Sequence, residues 1–249
     1  MQACQGTCEG ESIGSRTVRR VEAIIFDKDG TLFDFQATWG QVILTLLDRV
    51  APGGLRAPSA EALGIDEATG RFRKDSVVIA STTAEVALTL AGVTGRDADE
   101  IAAIADGLAT QAEQVPVVAL RPCLEVLSAR HALGLVTNDS EAPARAHLER
   151  AGIGDLFAFV AGYDSGHGAK PGPGQLLAFA AATGLDPART LMVGDSRHDL
   201  AAGRAAGMGT VAVLTGIAEA HELRDLADAV LPDIGHLEAW IAAREAEPA

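Results

Sequence analysis

Aromatic residues are scarce in this chain of 249 residues: they account for 4% of it, whereas hydrophobic residues as a whole account for 48%. A hydrophobic core must therefore consist mainly of alanine, valine, leucine and isoleucine. Such a core suits helices that pack on a buried parallel sheet. The scarcity also removes the aromatic platform on which proteins commonly stack nucleobases.

Positive charge is also in short supply. Lysine and arginine total 20 residues against 34 aspartates and glutamates, which gives a formal net charge of −14. Nucleic-acid backbones and anionic lipid surfaces repel such a chain, so the sequence predicts neither as a partner. If the protein acts on an anion, a local cation must overcome this global charge, either a basic side chain or a metal ion.

Cysteines are few as well: the chain has three, at Cys4, Cys8 and Cys123. An odd and sparse set does not make a disulfide framework. Cys4 and Cys8 also lack the second ligand pair that a structural zinc site needs. These absences favour the reducing environment of the cytoplasm.

Long apolar runs are absent. No run reaches the ~18 residues of a membrane-spanning helix, and residues 1–20 lack the apolar stretch of a secretory signal. The sequence therefore predicts a cytoplasmic protein with no membrane contact and a flexible N-terminal tail over residues 1–17. It makes no prediction of an oligomeric state.

The rest of the sequence shows two kinds of hydrophobic pattern. Residues 21–26 form a short β-rich run, and after Pro122 strand-like and helix-like segments alternate to the end. This alternation predicts an α/β protein with a doubly wound parallel sheet. Residues 36–117 carry helical patterns without a convincing strand. We therefore expect an α/β core domain over residues 18–35 and 118–249, with 36–117 as a second, smaller, all-helical domain.

Polar residues follow several of the predicted strands. Asp27 and Asp29 follow the first strand, Thr137 and Asn138 follow the second, and Asp195 follows a later one. In an open parallel sheet the functional site lies beyond the carboxyl ends of the strands. We therefore expect these side chains to meet at one edge of the sheet.

The negative charges of the two aspartates in the first turn must be neutralised. Asp27 and Asp29 are two residues apart, and Gly30 permits a tight turn that lets both carboxylates enter one cleft. Because neighbouring carboxylates repel, they require a shared proton or a cation. A hard cation such as Mg²⁺ prefers oxygen ligands, and Asp195 and Asp199 can complete its coordination.

Four segments resemble, in order, the four motifs of the haloacid dehalogenase superfamily. They are FDKDGTLFD at residues 26–34, Thr137-Asn138, Lys170-Pro171 and GDSRHD at residues 194–199. The helical stretch between the first two motifs is similar to the cap of the phosphoglycolate phosphatase-like subfamily. This resemblance covers residues 21 to about 216.

The resemblance implies a Mg²⁺-dependent phosphatase. Asp27 would attack phosphorus and form an aspartyl-phosphate. Asp29 would protonate the leaving alkoxide and then deprotonate the hydrolytic water. Lys170 would neutralise Asp27 and the charge that develops on the phosphoryl group.

The resemblance also implies which residues hold the metal ion and the phosphoryl oxygens. Mg²⁺ would be held by Asp27, the carbonyl oxygen of Asp29 and Asp195, with Asp199 as a ligand or a neighbour of one. The phosphoryl oxygens would be held by Thr137, Asn138 and backbone N–H groups of the turn after Asp27. That turn contains Gly30 and Thr31.

Several alternatives remain open. The dehalogenases of the superfamily lack an acid two residues after the nucleophile, so Asp29 argues against that chemistry. Phosphonate-cleaving relatives need a cap lysine, and Lys74 is the only lysine of residues 36–117. A β-phosphoglucomutase-like phosphomutase shares every core motif. A non-catalytic module that binds a phosphorylated ligand is a further alternative.

The cap offers a cationic turn. Arg71, Arg73 and Lys74 either form a solvated surface turn or reach a substrate anion. We include Arg71 and Arg73 among the candidate substrate-binding residues. With no aromatic platform for a base, the sequence favours a small anionic substrate such as 2-phosphoglycolate. The side chain of Lys28 should point away from the cleft, because side chains alternate along a strand.

Overall fold

The computed structural model of the protein describes residues 20–79 and 81–246. Cys4, Cys8 and the predicted tail over residues 1–17 lie outside this described part. Among the described residues no helix has the length and apolar character that crossing a membrane would require.

A six-stranded parallel sheet lies at the centre of the fold, in the order β3-β2-β1-β4-β5-β6. In chain order the strands are β1 (Ala23–Phe26), β2 (Ala132–Val136), β3 (Phe157–Ala161), β4 (Thr190–Gly194), β5 (Gly209–Val213) and β6 (Ala229–Leu231). The strand order reverses between β1 and β4. Doubly wound proteins bind their ligands at such a switch point.

Helices cover both faces of this sheet. Those that follow the helical insertion are α5 (Leu120–Ser128), α6 (Glu141–Arg150), α7 (Gly174–Thr183), α8 (Arg197–Ala205), α9 (Ala220–Leu223) and α10 (Leu237–Glu245). Successive β1 side chains point to opposite faces. Phe26 packs in a buried cluster with residues of α5, α6 and α10, whereas Ile25 packs with residues of α7 and α8. The predicted doubly wound α/β fold is confirmed.

The stretch between β1 and α5 contains no β-strand in its described residues, and its regular elements are helices. It contains α1 (Phe35–Val50), α2 (Arg56–Leu63), α3 (Thr83–Thr94) and α4 (Ala98–Gln111). The side chains of Asp34, Thr82 and Asp97 accept hydrogen bonds at the N-termini of α1, α3 and α4, as caps of these residue types do. We call residues 35–111 the helical segment.

The helical segment has a hydrophobic cluster of its own. Leu47, Leu63, Leu90 and Ile101 are fully buried in it, and they come from four different helices. This separate cluster accords with a division into core and cap, whose boundaries stay a prediction. The segment lies over the carboxyl edge of the sheet, where its side chains and the ends of β1, β2 and β4 line one cavity.

Candidate active site

Asp27 and Asp195 meet where the strand order reverses. Asp27 follows β1 directly and its backbone N–H donates to the carbonyl oxygen of Val193 in β4, at 2.9 Å. Asp195 follows β4. The side chain of Asp199, from the first turn of α8, joins them, so that one carboxylate oxygen of each of the three aspartates lies within 4.8 Å of the others. The predicted convergence of the strand ends is therefore present.

The three aspartates are almost entirely buried, with exposed fractions of 7% for Asp27, 7% for Asp195 and 2% for Asp199. Burial, with the charges of Asp199 and Asp29, raises the pKa of Asp27 to about 7 against the opposing effect of Lys170. Burial and the charges of Asp199 and Asp27 raise the pKa of Asp195 well above its ordinary value. The cluster therefore has more negative charge than its surroundings compensate.

Lys170 is the ammonium group in contact with this cluster. Its Nζ donates to Asp27 Oδ1 at 2.5 Å, to Asp199 Oδ1 at 2.6 Å and to the carbonyl oxygen of Val136 at 3.2 Å. Burial lowers the pKa of Lys170, but the carboxylates of Asp199 and Asp27 outweigh it and raise the pKa above its ordinary value. Lys170 is therefore a permanent cation with all three of its N–H donors in use.

Asn138 joins the end of β2 to the loop that carries Lys170. Its Nδ2 donates to the carbonyl oxygen of Lys170 at 3.0 Å, and the backbone N–H of Lys170 donates to its Oδ1 at 2.9 Å. Thr137 is held by both its backbone and its side chain: its carbonyl oxygen accepts from Gln175 Nε2, and its Oγ1 accepts from the backbone N–H of Asp139. Both Thr137 and Asn138 line the cavity beside Asp27.

The turn after Asp27 is tight and closely packed. Gly30 has φ +82°, and a Cβ at this position would lie 2.4 Å from Asp195 Oδ2. Its carbonyl oxygen accepts from Thr215 Oγ1 at 2.6 Å. Thr31 is fully buried, and its Oγ1 has no partner among the described residues. Neither Gly30 nor Thr31 lines the cavity, so their contact with a phosphoryl group stays a prediction.

Asp29 lines the cavity but is not part of the three-aspartate cluster. Its Oδ2 lies 3.0 Å from the ammonium group of Lys28, and its Oδ1 is buried without a hydrogen-bond partner among the described residues. One oxygen of this carboxylate is therefore held by an ion pair, while the other is buried with no hydrogen-bond partner among the described residues.

Lys28 is a component of the site whose role the sequence did not reveal. As strand alternation predicts, its side chain does not line the cavity, yet it is fully buried. Its Nζ contacts Asp29 at 3.0 Å, Asp139 Oδ2 at 2.8 Å and His147 Nδ1 at 3.0 Å. Three acceptors therefore take up the three protons of the ammonium group.

His147 closes this buried network as a neutral ring. Burial and the nearby charge of Lys28 lower the pKa of His147 to about 4. Since Nδ1 accepts from Lys28, the proton of the neutral ring is on Nε2 and donates to the carbonyl oxygen of Ala109 in α4, at 2.7 Å. The network thus extends from the carboxylate of Asp29 to the helical segment.

The donor set of the aspartate cluster suits a hard divalent cation. Asp27, Asp195 and Asp199 offer carboxylate oxygens, which Mg²⁺ prefers, and a single lysine leaves their charge incompletely neutralised. Asp199 Oδ2 already accepts from the N–H and Oγ of Ser196, and its Oδ1 from Lys170. Asp27 and Asp195 are therefore the better placed to bind a metal ion directly.

Gly216 lies directly against the carboxylate of Asp195. A Cβ at residue 216 would lie 1.7 Å from Asp195 Oδ2. We expect Gly216→Ala to displace this carboxylate and to weaken Mg²⁺ binding by about tenfold or more, as changes beside metal ligands do. Isothermal calorimetry with Mg²⁺ measures the effect. Gly92→Ala is the matched control, since a Cβ there meets nothing within 4 Å. Equal Mg²⁺ affinity in the two variants would contradict the prediction.

A cavity of about 100 Å³ lies between the sheet edge and the helical segment. Its floor consists of Asp27, Asp29, Thr137, Lys170 and Asp195, with other side chains of the same edge. Its roof comes from α1, α3 and α4, with Val78, Ile79 and Ser81. The site is therefore enclosed on two sides by different parts of the chain.

The predicted cationic turn does not reach this cavity. Arg71 is exposed, Arg73 pairs with Glu61 at 2.7 Å and with Asp75 at 3.3 Å, and Lys74 pairs with Glu219 on the core. None of the three basic side chains lines the cavity. Their contact with a substrate stays a prediction that this arrangement does not favour, and the same holds for Lys74 as a Schiff-base residue.

The chain belongs to the haloacid dehalogenase-like hydrolases, whose family profile matches residues 21–207. It is 31% identical to a phosphoglycolate phosphatase of Rhodospirillum rubrum, over 88% of this chain and 90% of that protein. It is 30% identical to the pyrophosphatase PpaX of Bacillus velezensis, over 83% and 89% of the two chains. These similarities confirm the family and its phosphoglycolate phosphatase-like branch.

The fold has close counterparts among solved structures. A haloacid dehalogenase-like hydrolase from Bacteroides fragilis superposes with a TM-score of 0.67 and is 20% identical in sequence, with 88% of this chain and all of that chain covered. At this level of identity the likeness concerns the fold alone.

Proposed function

We propose that the protein is a Mg²⁺-dependent phosphatase that hydrolyses a small phosphomonoester through a phosphorylated Asp27. The observation that carries this proposal is the state of the Asp27 carboxylate at the cavity floor. One of its oxygens accepts from Lys170 at 2.5 Å, and the residue lies beside Asp195 and Asp199. A carboxylate held in this way can attack an electrophile that enters the cavity.

In the first step a carboxylate oxygen of Asp27 forms a bond to phosphorus as the bond to the leaving oxygen breaks. Lys170, which remains charged, offsets the negative charge that accumulates around the reacting atoms. Thr137 and Asn138 are the residues best placed to bind phosphoryl oxygens, because both line the cavity beside Asp27. The N–H groups of the turn that contains Gly30 and Thr31 are further candidates.

Asp29 supplies the proton for the leaving alkoxide and, in the second step, takes one from the water that attacks the aspartyl-phosphate. Asp29 lines the cavity, and its Oδ1 has no hydrogen-bond partner among the described residues, so no contact within the described chain competes with this exchange. Its Oδ2 contacts Lys28, which keeps the carboxylate oriented toward the cavity. The buried network thus positions the acid and base of the reaction.

Mg²⁺, when bound by Asp27, Asp195 and the carbonyl oxygen of Asp29, supplies charge neutralisation for the phosphoryl group. The helical segment acts as a cap that excludes water from the cavity. The relative from Rhodospirillum rubrum is named as a phosphoglycolate phosphatase, so 2-phosphoglycolate is the first substrate to test. A phosphomutase and a non-catalytic binding module are the competing functions.

The test is to trap the covalent intermediate. The protein is mixed with Mg²⁺ and a panel of phosphorylated metabolites, then quenched in acid and reduced with borohydride, which converts an aspartyl-phosphate to homoserine. We expect homoserine at position 27 by peptide mass spectrometry, together with steady phosphate release. Labelling of Asp27 with sugar-phosphate isomerisation and little release would indicate a mutase. Ligand binding without labelling or release would indicate a binding module.

A further inference from the structure

The roof of the cavity carries no ionisable side chain in the described part of the helical segment. The lining side chains there are apolar, among them Trp39, Val42, Leu46, Val78 and Val86, or are the hydroxyls of Ser81 and Thr83. The roof lies opposite Asp27, so it is the surface that contacts the group attached to the departing oxygen. A charged group placed there would lose its hydration without gaining a partner.

The buried lysines of the site cannot serve as that partner. Lys170 donates to Asp27, Asp199 and the carbonyl oxygen of Val136. Because an ammonium group has three protons, Lys170 has none left for a substrate carboxylate.

Lys28 likewise has no proton left for a substrate. It contacts Asp29, Asp139 and His147, is fully buried, and does not line the cavity. Arg73 and Lys74 are paired with acidic residues outside the cavity. His198 is the one histidine among the residues that line the cavity. It lies in the first turn of α8, at the sheet edge, and therefore does not belong to the roof.

We infer that the substrate is a phosphomonoester whose alcohol is small, uncharged and largely apolar. This inference rests on the proposed function and assigns the class of its leaving group. The size follows from the cavity volume of about 100 Å³, below the ~150 Å³ of a protein cavity that holds benzene. The roof also has hydrogen-bonding groups, namely its two hydroxyls and the buried indole N–H of Trp39, which has no partner among the described residues. These groups can form a hydrogen bond with one oxygen atom of the alcohol.

Two substrates with the same heavy-atom connectivity test the inference. Isobutyl phosphate and 2-phosphoglycolate have the same arrangement of heavy atoms, but the first ends in an isopropyl group where the second ends in a carboxylate. We expect kcat/KM for isobutyl phosphate to be at least tenfold higher, since the carboxylate would be desolvated without a counter-charge. Equal values, or a higher value for 2-phosphoglycolate, would overturn the inference and leave the proposed phosphatase in place.

A change of roof charge makes the test sharper. Val42→Lys, on the half-buried part of α1, adds a cation, and we expect it to move the ratio of the two kcat/KM values at least tenfold toward 2-phosphoglycolate. Val42→Met adds bulk without charge and should keep the ratio of the unmodified protein. A ratio that moves equally in both variants would overturn the inference. Methyl phosphate, which has the smallest alkyl leaving group, reports the phosphatase chemistry itself: no release from any of the three esters would refute the proposed function.

Discussion

Asp27→Asn is expected to abolish turnover and to stabilise the fold at the same time. An amide does not attack phosphorus, so phosphate release should fall by roughly 10⁴- to 10⁶-fold, the range seen when a nucleophile is removed. Asparagine has the shape of aspartate and keeps an oxygen that can accept from Lys170. The loss of activity therefore does not depend on a loss of structure.

The gain in stability follows from the pKa of Asp27. This carboxyl has its pKa raised from 3.8 to about 7, chiefly by burial. A carboxyl with a raised pKa favours folding below its unfolded value and loses that contribution as the pH rises toward the folded value. At pH 8 the ionised group opposes folding. We expect Asp27→Asn to raise the free energy of unfolding by about 1–2 kcal/mol, as the relief of a strained active site commonly does.

Urea unfolding in EDTA at pH 8 and pH 5 measures this effect. The difference between the variant and the unmodified protein should shrink at pH 5, where Asp27 is mostly protonated. Asp99→Asn makes the same chemical change on the exposed surface of α4 and should alter stability by less than ~0.5 kcal/mol. A variant that is destabilised at pH 8, or that still turns over, would contradict the prediction.

The sequence was sufficient to predict the floor of the site. Asp27, Thr137, Asn138 and Asp195 follow strands of a parallel sheet, and such strands all end at one edge. Their convergence needs only the strand assignments. Lys170 lies in the loop after β3 and not directly at the strand end, so the pattern of strands predicted its edge of the sheet and the family resemblance of its motif predicted its role.

The hydrogen-bonding network around Lys28 could not be predicted from the strand assignments. Alternation indicates the side on which Lys28 lies, but not what it meets there. Asp139 reaches it from the end of β2 and His147 from α6, and both contacts depend on how those elements pack. A lysine buried beside acidic motif residues was the available signal, because buried lysines are almost always paired.

The residues that form the roof of the cavity could not be predicted from the sequence either. The basic cluster at Arg71, Arg73 and Lys74 stands out in the sequence, but Arg71 is exposed, and Arg73 and Lys74 pair with acidic residues outside the cavity. The apolar residues that do line the cavity, such as Val42 and Val86, also belong to the hydrophobic periodicity of their helices. Periodicity cannot distinguish a side chain that faces a core from one that faces a cavity.

Lys170→Met is expected to abolish activity with the opposite effect on stability. Methionine fills a similar volume without charge, so Asp27 and Asp199 would lose the ammonium group they share at 2.5 and 2.6 Å. We expect phosphate release to fall by about 10³-fold, as it does when a preorganised donor to the reacting group is removed. The free energy of unfolding in EDTA at pH 8 should fall by about 3 kcal/mol, the cost of breaking a buried pair.

The pH dependence identifies the cause of this loss. Lys170 lowers the pKa of Asp27, so its removal raises that pKa further and the carboxyls take up protons more readily. Carboxyls with raised pKa values oppose folding increasingly as the pH rises, so the deficit should be smaller at pH 5 than at pH 8. Urea unfolding at both values tests this, and an equal deficit at the two values would show that lost packing is responsible.

Lys170→Arg is the matched control, since it keeps the charge but not the compact ammonium geometry. It should recover most of the stability and little of the activity, because three acceptors are arranged around one nitrogen atom. Removal of a negative charge at residue 27 and removal of the positive charge at residue 170 should thus move stability in opposite directions while both eliminate catalysis. We expect that contrast for a site whose excess negative charge lowers the free energy of unfolding but is needed to bind a cation and to react with a phosphoryl group.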